Sequence, residues 1–211
     1  MPVNNFSYII NADLNWRFGE IAILKSLTVQ THMTENKRTV SRKYTVPAFY
    51  AVWEGFVVNA FTEYIRAINE KNLLCNNLHK DIVTHYLFST LNLHQPPHEY
   101  SRRTSFIKKI QNSISEVVKI PLNVDTASNV DYKELSNIFF RYGVSSSKLE
   151  KYTAPLNKFV NYRNRIAHGD SSVTVDASHI VEFSETIISL MTDITDILIE
   201  HINREAFSVC S

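Results

Sequence analysis

Arg163, Asn164 and His168 stand within six residues of one another in the segment NYRNRIAHGD, residues 161–170. Their types suit one chemistry. RNA is cut without a metal when a base takes the 2′-hydroxyl proton and a cation stabilises the negative phosphorane. Histidine titrates near neutrality and can move that proton. Arginine presents a planar fork of donors to phosphate oxygens. Asparagine can orient the phosphate or the ribose.

The spacing places these groups on a helix from about Pro155 to His168, with Pro155 in its first turn and Gly169 as its stop. Leu156, Phe159, Val160, Ile166 and Ala167 fall at i, i+3, i+4, i+10 and i+11 of one face, and Arg163 occupies i+7. An unpaired buried charge costs several kcal/mol. Arg163 therefore needs a carboxylate, an opening that receives an anion, or both. Glu54 is the only charged residue between Val46 and Thr62 and is the expected partner in a supporting ion pair. Asn157, Asn161, Asn164 and His168 form a second, polar stripe at i, i+4, i+7 and i+11. Arg163 and His168 are five residues apart, about 140° around an ideal helix. They converge only through the length of the arginine, relaxation of the helix end, or a second subunit. The same residues also suit a purely structural role, with His168 on the helix C-terminal dipole and Gly169 as a simple stop.

Other chemistry-bearing residues read as surface. His79, His85, His94 and His98 are spaced by 6, 9 and 4 and share no helix face, so no metal site is expected. Lys37, Arg38, Arg42 and Lys43 read first as a solvated charge run, with RNA guidance as the second reading, and Asn161 and Arg165 join them as candidate RNA contacts. Arg102, Arg103, Lys108 and Lys109 read the same way. Tyr152 and Tyr162 suit base stacking, but more often such residues are core or rim.

The 211 residues suffice for one sizeable core, and no linker divides them, so a single domain over 1–211 is expected. Hydrophobic residues make up 44% and charged residues 20%, with a net charge of +1, which gives no global basic field. Two cysteines, Cys75 and Cys210, are too few for a disulfide framework or a cysteine-based zinc site. No signal peptide and no membrane span are read, and a cytoplasmic protein without cofactor is expected.

Only four glycines interrupt the chain, and the apolar periodicity is helical. Helices are expected from about Tyr8 to Gln30, from Val46 to about Glu70, from Leu78 to Leu93, from Ser101 to Lys119, over DYKELSNIFFRYG, from Pro155 to His168, and from Ala177 to Arg204. The second is apolar almost all round and reads as the buried centre. Residues 34–44 read as a loop or frayed end. Phe106, Ile107, Ile110, Ile114, Val117 and Val118 are expected to face inward. VTV at 173–175 is the only β-like piece. The result is an all-α bundle of six to seven helices.

RNRIAH, Arg163 to His168, resembles the Arg, four to six residues, His motif of HEPN domains, including the polar residue directly after the arginine. YAVWEGFVVNAFTEYI resembles the second helix of a bacterial HEPN branch found near defence and toxin–antitoxin genes, and YRNRIAHG resembles its motif helix. The likeness in helix order covers about residues 8 to 204. It implies an up-and-down HEPN bundle and a metal-independent endoribonuclease that works as a homodimer on RNA, with two motifs meeting at the interface. An antitoxin or other defence protein is an implied partner. Arg163, Asn164 and His168 are the implied catalytic residues. A non-catalytic HEPN module for dimerisation or partner binding is the alternative. Some toxin-type members carry a tyrosine two residues after the histidine; here that residue is Asp170, so no nucleotide modification of such a tyrosine is implied.

Overall fold

The structure, a computed structural model, describes residues 3–91 and 99–209. Within them lie seven α-helices: α1 Val3–Leu27, α2 Glu35–Glu70, α3 Lys80–Leu91, α4 Tyr100–Ile114, α5 Tyr132–Arg141, α6 Thr153–Ala167 and α7 Ala177–Asn203. Short 3₁₀ turns cover Cys75–Asn77 and Ser147–Tyr152. No strand forms among the described residues; Leu74 with Val117 and Leu78 with Ser208 make isolated bridges. His94, His98 and the Pro96-Pro97 pair lie outside the described residues. No described helix is long and apolar enough to cross a membrane.

The central helix is α2, as its apolar circumference requires, with a nearly continuous buried surface from Thr45 to Ile68. α1 folds back antiparallel to it: Ser41 donates to the Leu27 carbonyl at one end, and Phe6 meets the Tyr64 ring at the other. α6 and α7 form a second hairpin, closed by Tyr152 to Asp193, Lys158 to Glu182 and Tyr162 to His179. α6 runs antiparallel to α2, with Tyr50 beside Phe159 and Lys43 beside Asp170. Val173 and Val175 are not a strand; their alternation reflects two side chains buried in the loop between α6 and α7.

Two expectations are corrected. The charge run before Val46 is not a loop, because α2 begins eleven residues earlier, at Glu35. Glu35 binds Arg38 one turn on and Arg42 two turns on, and these pairs support a helix whose apolar pattern is absent. Pro47 therefore lies inside the helix. The second correction is α4, which ends at Ile114 and buries none of its residues; Ile107 is 53% exposed. Of the six residues expected to face inward, only Val118 is buried. It lies beyond the helix, where Val118 donates to the Leu73 carbonyl and Asn69 holds both backbone groups of Ile120. An apolar stripe permits burial but does not supply the surface to pack against.

α1 places a charge where an apolar residue would serve. Arg17 is 8% exposed, paired with Asp13 at 2.7 Å and donating to the Val52 carbonyl at 2.8 Å. Gly55 makes room for it: a Cβ there would stand 2.9 Å from Arg17 Nη1. This accounts for the glycine of WEGF. Asp13→Ala is expected to cost about 3 kcal/mol, the lower end for breaking a buried pair, since the Val52 carbonyl remains. Urea unfolding followed by circular dichroism measures it, and a loss within 0.5 kcal/mol, the usual range for surface substitutions, contradicts the burial argument.

Candidate active site

α6 ends in a left-handed cap that fixes the motif's last turn. The His168 amide still donates to the Asn164 carbonyl at 3.0 Å, as in a regular helix. Gly169 takes φ +78°, its amide reaches the Ile166 carbonyl, and the Asp170 amide reaches that of Arg165. This double closure needs a residue free to adopt positive φ. Lys43 of α2 then donates to the Asp170 carbonyl at 2.8 Å and ties the turn to the central helix.

Arg163 does not pair with Glu54, a correction to the sequence reading. Its guanidinium carbon lies 3.8 Å from the centroid of the Tyr50 ring, and Nη1 donates to Asn164 Oδ1 at 2.7 Å. Asn164 in turn donates to Asn129 Oδ1 at 3.1 Å. Glu54 accepts from the Thr126 hydroxyl at 2.9 Å. Tyr50, one turn before Glu54 on α2, provides the cation's partner instead. Both charges are half-buried, so desolvation does not force them together. Tyr50 itself is 2% exposed, and its hydroxyl accepts from the Val130 amide at 2.8 Å. Burial pushes that hydroxyl above the ordinary tyrosine range, and the nearby Glu54 carboxylate adds to the rise.

His168 is exposed at the end of α6. Because the helix is regular to Ala167, relaxation does not turn His168 toward Arg163. The reach of Arg163 is directed to Tyr50 and Asn164. Asn164 lies one turn before His168, so the fork of Arg163 is turned toward the polar stripe that ends on that histidine.

The remaining candidates disperse. Arg38 and Arg42 bind Glu35, Lys37 is exposed, and Lys43 is the one cation of the run that touches the motif turn. Arg165 is held locally, by Asp170 at 2.8 Å and the Ser172 hydroxyl at 3.0 Å. The Ser172 hydroxyl and amide, with Arg165, hold the Asp170 carboxyl down to about 2. Asn161 is exposed, whereas Asn157 accepts from the Tyr132 amide at the start of α5. Tyr162 and Tyr152 are committed to α7 through His179 and Asp193. Among the described residues, no three His, Cys, Asp or Glu side chains converge as metal donors.

Sequence reasoning missed Tyr50, Thr126 and Asn129. Tyr50 sits within an apolar run and reads as core. Thr126 and Asn129 lie in an aperiodic loop whose tip, Ala127 and Ser128, takes positive φ of 48° and 57°. Polar residues beside Val130 were their only signal.

A family model described as RiboL-PSP-HEPN matches residues 12–200. No curated protein and no solved structure gives a significant match.

Proposed function

The chain belongs to the RiboL-PSP-HEPN family, and from that premise we propose that it is a metal-independent endoribonuclease of a bacterial defence or toxin–antitoxin system. The observation that carries the proposal is the state of Arg163: a half-buried guanidinium on an aromatic face, with no carboxylate at ion-pair distance among the described residues. Most of its donors remain for phosphate oxygens. His168 stands exposed on the same short segment, as a proton-transfer group must.

In the proposed reaction His168 takes the proton of a ribose 2′-hydroxyl. The freed oxygen attacks the adjacent phosphorus as the P–O5′ bond breaks, Arg163 offsets the negative charge of the phosphorane, and the 5′-oxygen leaves with the proton returned by a His168 imidazolium. The products are a 2′,3′-cyclic phosphate and a 5′-hydroxyl. Asn164 orients Arg163 and the phosphate. The five-residue spacing of Arg163 and His168, about 140° around an ideal helix, supports a two-fold dimer in which the motifs of two copies meet. Val40 and Tyr44, 56% and 64% exposed around Lys43, offer apolar surface beside the motif turn for that contact. One core, from Phe6 to Phe207, supports reading residues 1–211 as one domain.

The test is incubation of the purified protein with single-stranded and structured RNAs in EDTA, beside DNA of the same sequence. RNA is expected to be cut and DNA, lacking the 2′-hydroxyl, left intact. Cleavage of both, or of neither with any antitoxin-like partner removed, contradicts the proposal. In the second case a non-catalytic module is the better reading.

A further inference from the structure

We propose that Tyr50 is the positioning residue of Arg163, and that Asn129 extends the same support through Asn164; the inference rests on the ribonuclease reading above. A half-buried arginine is usually satisfied by a carboxylate, which occupies two of its five donors and cancels its charge. Tyr50 does neither. Its ring attracts the cation through the π face and takes no N–H. Arg163 is thereby oriented yet left charged, with Nη1 engaged by Asn164 and the rest of its fork available to an anion.

Tyr50 can fix a direction because it is itself fixed. It is buried on the central helix, packs on Phe159 with ring centroids 6.3 Å apart, and its hydroxyl is held by the Val130 amide. The Trp53 indole donates to the Val130 carbonyl at 2.9 Å, so two side chains of α2 clamp one residue of the loop. Glu54 secures the loop's other side through Thr126. The loop carries Asn129, whose Oδ1 accepts from the Asn164 amide and sets which way that amide faces. Asn164 then presents its oxygen to Arg163. Glu54 thus acts on the site through the loop, and Tyr50 acts on it directly.

The experiment compares Tyr50→Phe, Tyr50→Leu and Asn129→Ala with wild type, using a fluorogenic ribo-oligonucleotide after circular dichroism has verified folding. Small displacements of a positioned group cost about 10²-fold in rate. Tyr50→Leu is expected to lower kcat by about that factor with KM within about threefold, while Tyr50→Phe, which keeps the ring but frees the Val130 amide, is expected to fall between Tyr50→Leu and wild type. Equal kcat for Tyr50→Leu and wild type overturns the proposal. If Tyr50→Leu does not fold, Asn129→Ala decides. It is expected to lose about tenfold in kcat, and combining it with Asn164→Ala should add nothing to Asn164→Ala alone; additive losses overturn the chain of support. If wild type cuts no RNA, the ribonuclease reading fails and the positioning claim is read by NMR. The Nε–H signal of Arg163, assigned with Arg163→Lys, is expected to lie under the ring current of Tyr50. Tyr50→Leu should move it and weaken its response to inorganic phosphate by at least about tenfold, from lost preorganisation. A signal unmoved by Tyr50→Leu overturns the proposal on its own.

Discussion

His168→Ala is expected to slow RNA cleavage by about 10²–10⁴-fold, the usual worth of general acid–base catalysis, with no loss of helical circular dichroism. The side chain is exposed, so its removal opens no cavity and strands no partner. The backbone of the last turn is held by the Gly169 cap and by Lys43, neither of which uses the imidazole. A purely structural histidine would give the opposite pattern, with unchanged turnover and a small loss of stability. If wild type and His168→Ala cut the same RNAs at the same rate, the activity belongs to a contaminant.

The second large effect concerns Arg163. Removing one preorganised donor to a developing oxyanion costs about 10²–10³-fold in rate, and Arg163→Ala is expected to lose at least as much. A buried Glu54–Arg163 pair would have made this variant hard to fold. Without that pair the protein should fold, because Glu54 keeps Thr126 and Tyr50 keeps Val130. The variant also tests the composite site. Arg163→Ala and His168→Ala chains are each expected to retain at most about a hundredth of wild-type activity alone. After unfolding and refolding together, half of the dimers are expected to be mixed. Each mixed dimer holds one intact combination, Arg163 from one copy and His168 from the other. About a quarter of wild-type activity should return on that statistical argument. No recovery, with mixed dimers demonstrated by mass, would place both residues of each site in one chain.

Helices α6 and α7 were legible within a few residues because long periodic stripes end in a proline, a glycine or a capping aspartate. The motif helix, its stop at Gly169 and the HEPN resemblance followed from the same strong local signals. The start of α2 was not legible, since it is stabilised by Glu35 with Arg38 and Arg42 rather than by an apolar face. α4 shows the converse: its stripe is strong, but no periodicity reveals that the body offers it little surface. At the site, the sequence identified two charges that needed explanation and paired them. It had no means of showing that Tyr50 stands with Arg163, because Tyr50 reads as core on an apolar helix, or that Thr126 takes Glu54, because Thr126 lies in a loop without a pattern.

The chemistry is read most directly from the new 3′ end of the upstream RNA fragment, by mass spectrometry of a defined oligonucleotide cut in EDTA. Attack by the 2′-hydroxyl predicts a 2′,3′-cyclic phosphate on that fragment and a 5′-hydroxyl on the other, both absent with His168→Ala. A 3′-hydroxyl facing a 5′-phosphate would mean that water, not the ribose, is the nucleophile, and would contradict the roles given to Arg163 and His168.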